Sequence, residues 1–209
     1  IEINAIKDFQ KKLFSISEDN LESVYDFIHE SSLVTSPDAP RQLISILFIA
    51  IEYRPWSIPY IAQLCYKLLE SASTIKSLSK LKFDILFTIF FKERIKQENL
   101  HFLAHCLDVR FLYPQELVDF IHQIMIDKSF SVKEVLEYFA WFAPEIEMTN
   151  PTLFEQLYSL YLKKPSNNRY TLASLKIKNG YFSTKKFAQE NTSVDNDDDF
   201  DDEIFYKDC

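Results

Sequence analysis

Glycine is almost absent from this chain: Gly180 is the single glycine among 209 residues. Tight hairpins, phosphate-binding loops and dinucleotide-binding turns need glycine where the backbone takes positive φ or approaches a ligand closely. None of these motifs is present in the sequence. The composition therefore argues against Rossmann enzymes, P-loop NTPases, kinases and α/β-hydrolases. It also argues against all-β folds, whose turns are rich in glycine.

Cysteines and long apolar runs are scarce as well. Cys65, Cys106 and Cys209 are an odd number without close spacing, so a disulfide framework is not expected and a reducing compartment is favoured. The N-terminal sequence has no hydrophobic signal-peptide region. The longest apolar runs, such as LISILFIAI, have about half of the roughly 20 residues that a membrane helix needs. We therefore expect a cytoplasmic protein that does not associate with membranes.

The sequence also lacks a cluster of basic residues. The net charge is −8. Residues 195–209 account for −7 of it, because this segment contains eight carboxylates and one lysine. The rest of the chain is close to neutral. Nucleic-acid binding is not expected, since phosphate backbones require clustered cations.

The acidic segment 195–209 is expected to be a tail or linker, because like charges at this density repel one another and resist packing. It lacks the glycine and the terminal glutamate spacing of an EF-hand. A solvated linker, or a ligand for a basic partner, is the favoured interpretation. Its candidate partner-binding residues are Asp197, Asp198, Asp199, Phe205 and Tyr206.

What the sequence has is helical periodicity, with apolar residues recurring every three or four positions. Helix-start signals are Ser17 before a segment over 20–34, Pro114, the Ser131/Glu134 capping box, and Asn150 with Pro151. Pro165 should stop the last helix. The predicted fold class is all-α.

The helix starts near Ser36, Ser77, Pro114 and Asn150 are 41, 37 and 36 residues apart. Helical hairpins of the HEAT type repeat at about 40 residues. We therefore predict stacked antiparallel helical hairpins, as in a HEAT-like solenoid, with an irregular helical bundle as the alternative. The predicted divisions are a helical-hairpin domain over 1–165, a C-terminal helical extension over 166–194, and the acidic tail over 195–209.

One group of residues is a weak candidate for a catalytic site. His101 and His105 lie four residues apart on one predicted helix, with Cys106 beside them. A small metal- or cysteine-dependent enzyme is the alternative hypothesis, although a metal site needs three or four converging ligands. The aromatic stripes, Phe83 to Phe91 and Tyr138 to Phe142, are expected to be mostly core, with a minority lining a groove. No catalytic residue, cofactor, metal or small-molecule substrate is predicted.

Residues 51–64, IEYRPWSIPYIAQL, interrupt the apolar pattern with two prolines. Pro55 should end one helix at Arg54, and Ser57 should cap the next. Trp56 should pack onto Ile61 as a hydrophobic staple. Because Arg54 keeps no role beyond the helix dipole, Arg54 and Trp56 are also candidate partner-binding residues.

The Tyr53-Arg54-Pro55 corner, the following Ile58-Pro59-Tyr60-Ile61 and the aromatic-rich, glycine-poor body carry a family resemblance. Residues 1–190 resemble the N-terminal helical domain of large protist ankyrin-repeat proteins. The resemblance implies a non-catalytic domain that binds a protein partner as a scaffold, followed by an ankyrin array. No ankyrin repeat is visible in this chain itself.

Overall fold

The computed structural model describes residues 3–31, 34, 37–73, 75–93 and 96–163. These residues form α-helices, short 3₁₀ turns and one π-helical segment, and none of them lies in a β-strand. The prediction of an all-α class is therefore confirmed for the described chain. The α-helices are α1 (Ile3–Phe14), α2 (Leu21–Glu30), α3 (Ala39–Tyr53), α4 (Ile58–Glu70), α5 (Leu81–Phe87), α6 (Gln97–Asp108), α7 (Pro114–Ile126), α8 (Val132–Thr149) and α9 (Pro151–Leu162).

The chain divides after Leu112 into two compact units. In the first unit, α1 packs on α2 and α3, α2 packs on α4, α3 packs on α5, and α6 packs on both α3 and α4. In the second unit, α8 packs on α7 and α9. The domain boundaries predicted at residues 165 and 194, with the extension and the acidic tail, lie outside the described residues and stay predictions.

Three predicted helix starts are confirmed. Ser131 accepts a hydrogen bond from the Glu134 amide at 3.2 Å, and the Glu134 carboxylate accepts one from the Ser131 amide at 2.9 Å. Asn150 Oδ1 accepts from the Leu153 amide at 3.0 Å. Pro114 opens α7. These bonds satisfy amides that have no partner inside the helix.

The N-cap predicted at Ser17 is wrong, because α2 begins four residues later at Leu21. Asn20 organises this loop instead. Its Oδ1 accepts from the Ser17 amide at 2.7 Å, and its Nδ2 donates to the Ser15 carbonyl at 2.9 Å. The Asn20 side chain thus closes the loop on itself rather than capping the helix.

The apolar segment from Leu81 does not continue as a single α-helix. It is α-helical to Phe87 and π-helical over Thr88–Glu93. The Thr88 hydroxyl donates to the Asp84 carbonyl at 2.7 Å, next to this change. A π-helical turn holds an extra residue and so shifts which side chains share a face. Here Ile89 and Phe90 are buried, whereas Phe83 and Phe87 point outward.

The end of α6 carries the one positive φ among the described non-glycine residues, Arg110 at 63°. The Arg110 amide donates to the Leu107 carbonyl at 3.2 Å, as at a left-handed C-cap, and the Leu112 amide donates to the Cys106 carbonyl at 3.1 Å. Glycine usually occupies this position because it has no Cβ to clash.

We expect Arg110→Gly to raise the free energy of unfolding by about 0.5–1 kcal/mol. The left-handed conformation costs a non-glycine residue about 1–2 kcal/mol, and the extra chain entropy of glycine offsets part of the gain. Urea unfolding followed by circular dichroism measures the change. The control is Val109→Gly next door, at φ −88°, which should destabilise the protein. Equal effects of both variants would contradict the assignment.

Candidate functional site

The corner between α3 and α4 is a 3₁₀ turn, Pro55–Ser57, rather than a side-chain cap. Ser57 is fully buried, and its hydroxyl donates to the Arg54 carbonyl at 2.6 Å. That bond occupies the hydroxyl, so the predicted capping of α4 by the Ser57 side chain is wrong. Ser57 fixes the end of α3 instead.

The Arg54 guanidinium lies between two aromatic rings. Its Cζ is 5.5 Å from the centre of the Phe14 ring and 5.3 Å from that of the Trp56 ring, within the range of cation–π attraction. Its Nη1 donates to the Tyr53 carbonyl at 3.3 Å. No carboxylate of the described chain forms an ion pair with Arg54. The cation is therefore held by two aromatic rings and one backbone carbonyl.

Trp56 does not serve as the predicted staple on Ile61. Its side chain stays 64% exposed while Ile61 is fully buried, and Tyr53 is exposed to the same degree as Trp56. We call Tyr53, Arg54 and Trp56 the corner patch. Trp, Tyr and Arg are the residue types most enriched where protein interfaces concentrate their binding energy.

A groove of about 860 Å³ opens on the first unit. One wall is α3, and the other is formed by α5 and the π-helical segment, with residues 76–80 at one end. Its apolar lining residues are Ile44, Phe48, Ile49, Phe83 and Phe87. The volume lies within the range of pockets that hold ligands or anchor side chains.

Three phenylalanines stack on one another, two of them on this wall, and form what we call the phenylalanine ladder. The ring centres of Phe83 and Phe87 are 6.1 Å apart, and those of Phe87 and Phe91 are 5.0 Å apart. Lys92 Nζ lies 5.9 Å from the Phe87 ring centre. Phe83 is 57% exposed and Phe87 is 38% exposed. Water thus reaches a stacked aromatic surface inside a concave site.

The other predicted aromatic stripe is core. Tyr138, Phe139, Trp141 and Phe142 are all buried, as is Phe90 in the first stripe. The prediction that most of the stripe residues are core and a minority line a groove is confirmed. Sequence periodicity did not single out Phe83 and Phe87, because it could not reveal the π-helical turn after Phe87.

Two carboxylates of the groove lining form ion pairs with Lys96. Lys96 Nζ lies 2.9 Å from a carboxylate oxygen of Glu93 and 3.8 Å from one of Glu52. The hydrogen bond that Lys96 donates to the Glu93 carboxylate is the main cause that raises the pKa of Lys96. Glu93 and Glu52 both line the groove, so this lysine balances part of the negative charge of the lining.

Four cations line the groove: Arg41, Lys76, Lys80 and Lys92. None of them forms an ion pair with a described residue. The remaining carboxylates of the lining are Asp38 and Asp84. The groove lining as a whole therefore holds four cations and four carboxylates, and Lys96 adds one positive charge beside Glu52 and Glu93.

The groove and the corner patch share one helix. Ile49 of the groove and Tyr53 of the corner patch are four residues apart on α3, so they project from the same face. The structure thus places the predicted residues Arg54 and Trp56 at the end of the groove-lining helix, although neither lines the groove itself. Asp197, Asp198, Asp199, Phe205 and Tyr206 lie outside the described residues.

The alternative enzyme site has a buried thiol. Cys106 and Cys65 are both free and buried. Burial raises the pKa of Cys65 to about 12 and raises that of Cys106 well above its ordinary value. Both thiols are therefore protonated near neutral pH, whereas a nucleophilic cysteine needs a lowered pKa and access to solvent.

His101 and His105 are half-buried on α6, and both make contacts within the protein. Within the part of the chain that the structure describes, no three His, Cys, Asp or Glu side chains converge as metal ligands would. Neither does any described helix combine the length and apolar character required to cross a bilayer.

Comparisons with known proteins return no relative. No family model, curated protein or solved structure matches this chain.

Proposed function

We propose that this chain is a non-catalytic protein-interaction domain that binds a protein partner in the groove of its first unit. The observation that carries the proposal is the phenylalanine ladder, whose rings at Phe83 and Phe87 remain open to water in a concave site. Exposed aromatic surface in a groove loses favourable burial energy unless a partner covers it. The corner patch on the same helix extends the surface with interface-type residues.

The helix contacts of the first unit support stacked hairpins as the scaffold for this surface. α1 packs on α3 and α3 on α5, while α2 packs on α4 and α4 on α6. Helices two apart in the chain thus contact each other, in addition to the contacts of α1 with α2 and of α3 with α4 and α6. Stacked helical hairpins of a solenoid produce contacts between helices two apart, and solenoids use their concave faces for binding.

We further propose that the domain acts in the cytoplasm as the helical part of an ankyrin-repeat protein. The proposal rests on the Tyr53-Arg54-Pro55 corner and the glycine-poor, aromatic-rich composition. The complete reading frame tests it. Repeats of about 33 residues with a TPLH-like turn downstream of Cys209 would support it, and a complete frame without such repeats would overturn it.

The test of partner binding is quantitative affinity capture from source-cell extract with three tagged chains: wild type, Phe83→Ser and Leu162→Ser. Leu162 is 55% exposed on α9 and is the matched control for loss of an exposed apolar side chain. We expect at least one captured protein to be lost with Phe83→Ser and kept with Leu162→Ser. The same protein, purified, should bind the wild-type chain about tenfold or more tightly than it binds Phe83→Ser, as for a central aromatic contact.

Two results would contradict the proposed function. One is a purified partner that binds wild type and Phe83→Ser equally. The other is a stoichiometric transition metal in the purified chain that is lost on His101→Ala, which would favour the enzyme hypothesis instead.

A further inference from the structure

We infer that the interface of α3 and α6 holds a binding site for one water molecule, which bridges the side-chain amide of Asn99 to the backbone carbonyl of Ile51. This site is independent of the groove and of the proposed function. Three features of the molecule point to it: a buried donor without an acceptor, a buried carbonyl without its helical donor, and the register of the two helices.

The donor is the side-chain amide of Asn99, in the first turn of α6. Only 3% of the surface of Asn99 is exposed. Its Nδ2 atom is out of reach of bulk solvent, and no described residue accepts a hydrogen bond from it. Leaving a buried amide without an acceptor costs folding free energy, and buried polar groups in proteins are nearly always bonded to protein or to ordered water.

The acceptor is a carbonyl in the last turn of α3. In an α-helix each carbonyl accepts from the amide four residues further on, and for Ile51 that residue is Pro55, which has no N–H. The neighbouring amide of Arg54 donates instead to the Ala50 carbonyl, at 2.8 Å. Ile51 has no exposed surface, so bulk water does not reach its carbonyl. This carbonyl therefore needs a donor from outside α3.

The register of α3 and α6 brings the donor to the level of the acceptor. Lys96 Nζ lies 3.8 Å from a carboxylate oxygen of Glu52, and the ring centres of Phe48 and Phe102 are 6.3 Å apart, so the two helices run antiparallel. Asn99 is three residues from both Lys96 and Phe102 and lies between them on the stripe of α6 that faces α3. Side chains of a helix lean toward its N-terminus, which for Asn99 is toward the C-terminal turn of α3.

The chemistry of the two groups selects water as the ligand. The amide nitrogen of Asn99 is a donor, which a metal cation cannot use, and the Ile51 carbonyl is an acceptor, which an anion cannot use. Since Asn99 Nδ2 makes no direct bond to a described residue, the bridging molecule accepts from one group and donates to the other. Water does both, and a buried water typically binds about two to four polar groups. The site lies two residues before Tyr53 and thus at the end of α3 that carries the corner patch.

A double-mutant cycle on the full chain tests the bridge, with urea unfolding followed by circular dichroism. We expect Asn99→Leu to lower the urea midpoint, because the Ile51 carbonyl loses its bridged partner. Pro55→Ala supplies an N–H at position 55, which bonds the Ile51 carbonyl directly. In the Pro55→Ala background, Asn99→Leu should therefore raise the midpoint or leave it unchanged, since leucine then replaces a buried polar group that has no bond to lose.

Pro59→Ala is the matched control for the change of proline. Pro59 lies in the first turn of α4, where a helix amide has no carbonyl partner within the helix. The effect of Asn99→Leu should therefore be the same in the Pro59→Ala background as in wild type. Equal effects of Asn99→Leu in the wild-type and Pro55→Ala backgrounds would overturn the bridge, as would a higher midpoint for Asn99→Leu in the wild-type background.

Water-selective nuclear Overhauser spectroscopy of the isotope-labelled wild-type chain separates a water bridge from a direct bond. We expect magnetisation transfer from a long-lived water to the Asn99 side-chain amide, whose signal is assigned by its loss in Asn99→Leu. The control is the side-chain amide of the exposed Asn4, whose contacts with bulk water are too brief to give the same effect. Coupling in the mutant cycle without this signal would replace the water by a direct Asn99–Ile51 hydrogen bond and overturn the water site.

Discussion

Replacing Phe139 with alanine is expected to lower the free energy of unfolding of the second unit by about 3–5 kcal/mol, the usual cost of removing a fully buried ring. Phe139 lies on α8 and has no exposed surface. Its ring centre is 5.5 Å from that of Phe154 and 5.6 Å from that of Tyr161, both on α9. Alanine leaves a cavity between the two helices and removes both aromatic contacts. A loss of this size is a large part of the total stability of an ordinary domain.

Urea unfolding measured by tryptophan fluorescence isolates this effect. Trp141 is buried on α8, and Trp56 is the other tryptophan of the chain. A Trp56→Phe background therefore reports on the second unit alone. Met148→Ala, which removes a side chain that is 70% exposed on the same helix, is the control and should change stability by less than about 0.5 kcal/mol. A loss below about 1.5 kcal/mol for Phe139→Ala would contradict its place in the core.

The second large effect concerns the buried thiols. In a Cys209→Ser chain, where Cys65 and Cys106 are the remaining cysteines, we expect alkylation by iodoacetamide at pH 8 to be at least roughly 1000-fold slower than in the unfolded chain. Both thiols lie in the packed interior, so the reagent reaches them only through opening of the structure. Burial also raises the pKa of Cys65 to about 12, so the reactive thiolate is rare even when a path exists.

Mass spectrometry of the two cysteine-containing peptides gives the rate for each thiol separately. The same chain in 8 M urea provides the reference rate. Protection of both thiols would remove the cysteine branch of the enzyme hypothesis. Fast, stoichiometric labelling of Cys106 with protection of Cys65 would instead revive Cys106 as a nucleophile and contradict its observed burial.

Local signals determined which parts of the fold could be predicted. The Ser131/Glu134 box, Asn150 and Pro114 each act within one turn of the chain, so their hydrogen bonds follow from residue type and spacing. The N-cap predicted at Ser17 was wrong because another side chain of the same loop bonds to this residue. The Asn20 side chain accepts a hydrogen bond from the Ser17 amide, and α2 begins only after Asn20. The predicted capping of α4 by the Ser57 side chain was wrong because Ser57 lies in a 3₁₀ turn. There its hydroxyl donates a hydrogen bond to the Arg54 carbonyl.

The groove depends on contacts that periodicity does not encode. Phe83, Phe87 and Phe90 fit one apolar pattern in the sequence, yet Phe90 is buried and the other two are exposed. The π-helical turn after Phe87 and the packing of α5 against α3 set this division. Arg41 and Lys92 are 51 positions apart in the sequence and line the same groove only because of that packing.

The all-α class, several helix ends and the aromatic character of the core can be predicted from the amino-acid sequence, because they follow from glycine scarcity, helical period and local hydrogen bonds. Tertiary packing sets which aromatic rings remain in water, which cations lack an ion-pair partner among the described residues, and which side chains Arg54 contacts. Those properties depend on what lies opposite each side chain, and the residues opposite come from distant parts of the chain.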